Sequence, residues 1–162
     1  MSQKDMIFLG AFLLMVVLIL VAFRKKSPLG YKRIDALCTP AEKRFFLLLR
    51  QILPKSCILF AKVRIADLLL PKNSKDRSRW QSAFNKVACK HFDFVVCDKE
   101  LRILFAIELD DASHDREDRK QRDQFVEWAC KSAGLPLLRV KLQKEFDTRA
   151  LIKTIERFCK RD

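Results

Sequence analysis

The chain has 162 residues, 49% of them hydrophobic and 33% charged, and a formal net charge of +13. That length leaves room for one domain and an appendage, not for several domains. The basic balance points to nucleic acid or an anionic membrane surface as partner, or to solubility by charge alone. Six cysteines, Cys38, Cys57, Cys89, Cys97, Cys130 and Cys159, form no C-x-x-C pair. They read as reduced, mostly buried thiols in a reducing compartment, and the spacing of Cys89, His91 and Cys97 matches no common zinc finger.

Met6 to Phe23 (MIFLGAFLLMVVLILVAF) is eighteen residues without a charge. At ~1.5 Å per residue it reaches across a ~30 Å hydrocarbon core, and no small-x-small site follows that would mark a signal peptide. Arg24, Lys25 and Lys26 come directly after it, whereas only Lys4, Asp5 and the amino terminus precede it. The positive-inside rule predicts a single-pass span of the inner (plasma) membrane over residues 6–23, with residues 1–5 outside and the main domain cytoplasmic. A buried core helix is the alternative. Residues 24–37 are a basic linker with Pro28 and Gly30, suited to lie near anionic headgroups. The folded domain is expected over residues 38–162.

That domain opens with a helix. Thr39 caps it, Pro40 takes the first helical position and Glu42 completes a capping box. Phe45, Phe46, Leu48, Leu49 and Ile52 make its apolar face, and it stops before Pro54. Cys57 to Ile65 is patterned as a first strand, and Ala66 to Leu70 is ambiguous. Pro71 to Trp80 (PKNSKDRSRW) is a loop with Lys72, Lys75, Arg77 and Arg79 and an aromatic at its end. Cations beside Trp80 suit a phosphate backbone with a base or sugar to stack on; a solvated loop is the equal alternative. A short helix over Gln81 to Lys90 leads on.

His91 to His114 carries the chemistry. Period-two alternation predicts a β-hairpin, with Phe92, Phe94 and Val96 on one face of its first strand and His91, Asp93, Val95 and Cys97 on the other. On its second strand Glu108 and Asp110 face away from Ile107 and Leu109. A turn at Lys99-Glu100 that pairs Asp98 with Leu101 sets Asp93 opposite Ala106, diagonal to Glu108, and His91 opposite Glu108. Asp93, Glu108 and Asp110 then share one face, with Asp111 nearby. Carboxylates so close stay ionised together only when cations compensate, and such oxygen-rich sites suit Mg²⁺, Mn²⁺ or Ca²⁺. The alternative is a strand whose acids simply end in solvent.

Asp115 to Ala133 is a helix with acids in its first turn and Arg116, Arg119, Lys120 and Arg122 in the half nearest the acids. Gly134 ends it. Leu135 to Val140 is a buried strand, parallel to its neighbour because a helix intervenes, and Asp147 caps a last helix through Phe158. The order is α-β-(α)-β-β-α-β-α.

The phrases TPAEKRF, KHFDFVVCD, AIELDDASH, the Arg122-Asp123 pair and GLPLLRV together resemble a bacterial domain-of-unknown-function family grouped with the PD-(D/E)XK, restriction-endonuclease-like nucleases. The resemblance runs from about Leu37 to Val140. Very-short-patch-repair endonucleases look similar, with an E-x-D-x-x-x-H phrase, then R-D. It implies an α/β, three-layer core with a mixed central sheet (α-β-β-β-α-β) behind the transmembrane helix. It also implies Mg²⁺-dependent (or Mn²⁺-dependent) hydrolysis of phosphodiester bonds in DNA, less so RNA. The alternative is a nuclease fold that has lost catalysis and only binds or tethers nucleic acid at the membrane. Asp93 matches the superfamily's metal-binding aspartate and Glu108 the acid of the half-motif, whereas Asp110 stands where a lysine is usual. The missing lysine's role would pass to His114, whose ordinary pKa of about 6.5 lets it take a proton from water, or to the charge of Arg119, Lys120 or Arg122. Catalysis would fall to Asp93, Glu108, Asp110 and His114, metal binding to the first three, and backbone contacts to Lys72, Lys75, Arg77, Arg79, Trp80, Arg119, Lys120 and Arg122. His91 is read as a structural hydrogen-bonding residue. No small-molecule cofactor is implied.

Overall fold

A computed structural model describes residues 3–22, 29–110 and 117–159, with backbone alone at residues 5, 9, 20–22 and 117–122. The chain divides into two units, Met1–Asp35 and Ala36–Asp162.

The first unit is built on helix α1 (Gln3–Ala22), which coincides with most of the expected membrane span. Its large apolar side chains stand exposed, Phe8 at 76% and Ile7 at 67% among them. Among the described residues, however, no helix is long and apolar enough to cross a membrane. A span needs about 20 contiguous apolar residues, and the side chains at 9 and 20–22, all of residue 23 and the basic triplet 24–26 lie outside the described residues.

The second unit is a mixed α/β fold. Helix α2 (Pro40–Ile52) begins as the sequence predicts: Thr39 Oγ1 accepts from the Glu42 amide at 3.3 Å, and Glu42 Oε2 accepts from the Thr39 amide at 3.0 Å. It buries Phe45 and Leu49 and ends before Pro54, whose ring disfavours a further helical residue. Strand β1 (Ile58–Arg64) runs into a short 3₁₀ turn (Ile65–Asp67) that resolves the ambiguous stretch. Helix α3 (Arg77–Ala88) starts four residues earlier than expected. The reason is Asp76, whose Oδ1 accepts from the Arg79 amide at 2.9 Å and turns half of the basic loop into a first helical turn. Strands β2 (His91–Cys97) and β3 (Ile103–Asp110), helix α4 (Glu117–Ala133), strand β4 (Leu137–Lys141) and helix α5 (Thr148–Cys159) follow. Gly134, at φ +72°, takes the left-handed position past α4, and Asp147 caps α5 through the Ala150 amide.

The four strands lie in the order β1-β2-β3-β4. The first two pairings are antiparallel and β3–β4 is parallel, as the intervening helix requires. Helices α2 and α5 cover one face, where Phe45, Leu49, Phe94, Phe105, Leu151 and Ile155 pack together. Helices α3 and α4 cover the other, with Val87, Val95, Ala106, Val126 and Cys130. All six cysteines are free, but only Cys97 and Cys130 are buried, fewer than the sequence suggested.

The hairpin register differs from the expected one. Phe94 pairs with Ile107 and Val95 with Ala106, whereas Cys97 pairs with Ile103 after a shift between Val96 and Cys97. The turn is organised by Asp98, whose Oδ1 accepts from the amides of Glu100 and Arg102, with Leu101 in the left-handed region at φ 62°. The change is an even one, so the face carrying Asp93 and Glu108 is kept. Their spacing along the strands is not: Asp93 moves from diagonal to directly across from Glu108, and His91 sits beside Arg64 of β1 instead.

Candidate functional site

One residue from each strand forms a charged row across the sheet. One step beyond the Phe94–Ile107 pair, Asp93 of β2 faces Glu108 of β3. Glu108 is in register with Arg139 of β4. On the far side Lys62 of β1 stands between the Ala61–Phe94 and Val63–Phe92 pairs, across from Asp93. The row reads cation, acid, acid, cation.

Lys62 closes one end. Its Nζ donates to Asp93 Oδ1 at 2.8 Å and to Glu42 Oε1 at 2.9 Å. Its φ of 56° is in the left-handed region, at a cost of roughly 1–2 kcal/mol for a residue with a Cβ. Non-glycine strain of this kind persists where surrounding structure over-determines it and clusters at functional sites. Burial alone would lower the Lys62 pKa, but the hydrogen bonds to Asp93 and Glu42 outweigh it and the ammonium's pKa is raised. Lys62 is therefore a fixed positive charge and not a proton acceptor near neutral pH. Glu42 serves twice: one oxygen caps α2, the other holds Lys62.

The middle of the row is unusual. Asp93 Oδ2 accepts from the Leu109 amide at 3.0 Å, so both of its oxygens are engaged. Burial pushes the Glu108 carboxyl up to about 8, the charge of Asp93 and a hydrogen bond with it push the same way, and Arg139 opposes. Glu108 therefore holds a proton more tightly than an ordinary carboxyl, a tendency that a further positive charge beside it would oppose.

Arg139 closes the other end. Its Nε and Nη2 donate to the two oxygens of Asp110 at 2.9 and 2.6 Å, and Nη2 lies 3.2 Å from Asp123. The hydrogen bonds to Asp110 raise its pKa further. Asp110, expected beside Asp93 and Glu108 as a metal ligand, is thus committed to a bidentate pair with Arg139. The cause is the parallel β3–β4 pairing, which sets Arg139 two residues from Asp110 on the same face. Asp123 of the Arg122-Asp123 pair acts here as a part of that brace.

These groups line a cleft of about 420 Å³, with Lys90 and His91 at its edge and Ile65 and Val126 among its apolar walls. His114 lies outside the described residues, as do the side chains of Arg119, Lys120 and Arg122. Lys72, Lys75, Arg77 and Arg79 are exposed and do not line the cleft. Trp80, expected to stack on a base, is already occupied: its Nε1 donates to Pro71 O and its ring stacks on Phe84 at 5.3 Å. It pins the basic loop.

The sequence reading missed Lys62, Arg139 and Glu42. The first two carried a signal, since each is a cation inside an otherwise apolar strand run, Lys62 beside Arg64 in FAKVRI and Arg139 alone in LPLLRV. Glu42 was hidden by its capping role.

Residues 34–158 match the family model described as Protein of unknown function (DUF2726). The chain belongs to that family. The DUF2726 match takes in α2 through nearly all of α5, and so every member of the charged row. No curated protein and no solved structure matches the chain.

Among the described residues no three His, Cys, Asp or Glu side chains stand close enough to hold a metal between them. Mg²⁺, however, keeps several waters and takes only one or two protein carboxylates together with substrate phosphates. Asp93 and Glu108 are two adjacent carboxylates of the kind such a site uses, with Lys62 already paired to Asp93.

Proposed function

We propose that this DUF2726 chain is a metal-dependent nuclease of the PD-(D/E)XK, restriction-endonuclease-like kind, hydrolysing phosphodiester bonds of DNA. The observation that carries the reading is the row Lys62–Asp93–Glu108–Arg139, two facing acids held between fixed cations in one cleft. The order α-β-α-β-β-α-β-α within the domain, which reads α-β-β-β-α-β once α3 and the last helix are set aside, supports it. Asp93 and Glu108 would hold Mg²⁺ or Mn²⁺, which when bound polarises a phosphate oxygen and lowers the pKa of a bound water. Lys62 keeps Asp93 oriented and presents positive charge where the row meets a phosphate, the role that the resemblance assigns to a lysine at position 110. The Asp110–Arg139–Asp123 brace holds the end of β3 against β4 and α4, fixing Glu108 in place. The +13 net charge supplies attraction for a polyanion. Residues 6–23 would anchor the chain in the inner membrane, with the domain on the cytoplasmic side.

A binding-only reading rests on Asp110 being taken up by Arg139, which leaves two acids at the centre. One experiment separates the two. The full chain in detergent is incubated with single- and double-stranded DNA and RNA in Mg²⁺ or Mn²⁺, beside Glu108→Ala. Cleavage lost in the variant supports the nuclease. No cleavage by the wild type in either metal, with salt-dependent binding retained, refutes it in favour of a tether.

A further inference from the structure

Helix α3 presents an outward face that the catalytic reading does not use. Trp80, Phe84 and Val87 turn inward, Val87 into the core and the two aromatics against it or against each other. Outward stand Arg77, Ser78, Gln81, Ser82 and Asn85, all exposed and lining one shallow surface. No acid lies anywhere in the helix. Serine and asparagine are poor helix formers, so Ser78, Ser82 and Asn85 add little to the propensity of α3. The exposed face is composed of short hydrogen-bonding groups and one arginine.

Its surroundings are cationic. Between Pro71 and Lys90 the chain carries Lys72, Lys75, Arg77, Arg79, Lys86 and Lys90 against a single acid, Asp76, whose carboxylate is spent on capping the helix. The helix is also fixed relative to the cleft. Arg64 Nε donates to Ala88 O at 2.6 Å and the Ile65 amide to Lys90 O at 2.8 Å, and Cys89, Lys90 and His91, next in the chain, line the cleft.

We infer that α3 is a duplex-reading helix: its Arg77–Asn85 face enters the major groove of double-stranded DNA and reads base edges there. This rests on the nuclease-fold reading for its position beside the cleft, but the binding itself needs no catalysis. The chemistry matches base readout. Gln81 Nε2 donates to Asn85 Oδ1 at 2.9 Å, which fixes the two amides together and leaves an acceptor on Gln81 and donors on Asn85. Adenine offers the complement in the major groove, an N6 donor and an N7 acceptor, and arginine pairs with guanine O6 and N7. Twelve helical residues extend ~18 Å at ~1.5 Å each, about five base-pair steps of ~3.4 Å. Bases read by α3 would therefore lie a few pairs from a phosphate in the cleft. The A-form major groove is too narrow for side chains to read, so duplex RNA is not the partner.

The test is selection of DNA duplexes from a randomised library by the full chain in EDTA, where no metal-dependent cleavage occurs. The wild type should enrich a short site containing A·T pairs and prefer it by about tenfold or more over a scrambled duplex, the scale of one bidentate base contact. Gln81→Ala/Asn85→Ala should abolish that preference and leave affinity for the scrambled duplex unchanged. Alanine is the best helix former, so this variant keeps α3. Lys72→Ala/Lys75→Ala should instead weaken all duplexes alike and lower the salt dependence. No enrichment by the wild type, an undiminished preference in Gln81→Ala/Asn85→Ala, or tighter binding of single strands or RNA than of duplex would each overturn the inference. Cleavage in Mg²⁺ without base preference would overturn it and leave the nuclease standing. Base preference without cleavage in either metal would do the reverse.

Discussion

The two ends of the β2–β3 hairpin are built from the same residue types and behave differently. At the turn, Asp98 (25% exposed) accepts from the amides of Glu100 and Arg102 and pairs at 3.0 Å with Arg102, a side chain 75% exposed where Lys62 is 27%. At the open end, Asp93 accepts from Lys62 on another strand and from the Leu109 amide, and its side chain is 14% exposed. The turn acid finds partners within four residues and water around it, so its charge needs nothing further. The partners of the open-end acid lie 31 and 16 residues away, and beside it stands a second acid pushed up to about 8 mainly by burial. Acids grouped near a strand end become a site only where burial removes water's compensation and distant strands supply cations in its place.

Substitution at the two ends should separate them most sharply in activity. Asp93→Ala should lower Mg²⁺-dependent DNA cleavage by at least ~100-fold, the scale of removing one charge-stabilising group from an active site. Asp98→Ala should leave cleavage within about twofold, as for an ordinary surface change. Equal losses measured on folded variants would erase the distinction.

The pH dependence of stability tests the burial of the open end. The Glu108 carboxyl goes from an ordinary 4.5 to about 8, so between those values the folded state keeps a proton that the unfolded chain has released. Its stabilising contribution is complete below the unfolded value and is lost as pH rises through the folded one. Melting temperature should therefore fall more steeply for the wild type than for Glu108→Gln as pH is raised. The difference has a ceiling of a few kcal/mol, since each tenfold gain in proton affinity on folding is worth ~1.4 kcal/mol. Parallel curves would mean that Glu108 is as solvated as the turn.

Lys62→Met strips the cation from two part-buried carboxylates. It should cost about 1–3 kcal/mol in urea unfolding, the penalty for leaving such groups without a partner. An unchanged midpoint would show that water replaces Lys62 at no cost. The smallest effect belongs to the turn: Arg102→Ala should leave the unfolding midpoint unmoved, because an exposed ion pair contributes little. A measurable loss there would bring the two ends closer together than their burial suggests.

Much of the fold was legible. The capping box at Thr39–Glu42, the alternation of β2 and β3, Gly134 after α4 and the amphipathic α5 are local patterns whose causes lie within a few residues. The start of α3 was misjudged because Asp76 sits in a stretch of loop-like composition and declares itself a cap only through the Arg79 amide. Of the site, Asp93 and Glu108 were legible because period two fixes which face a side chain takes. Asp110 was placed with them by the same parity, and its pairing with Arg139 was not legible, because no pattern inside β3 says which strand lies alongside or in what register.

The sequence by itself determined the elements, their order and the face on which the acids lie, since propensity, capping and periodicity act over one or two turns of chain. The tertiary structure alone decided what those acids meet. A shift between Val96 and Cys97 and a turn built on Asp98 slid β3 along β2 until Asp93 and Glu108 stood opposite, and the neighbouring strands brought Lys62 and Arg139 to the two ends of the row. An even slip leaves every side chain on its own face, so alternation is blind to it. Only the long-range pairings of the sheet resolve it.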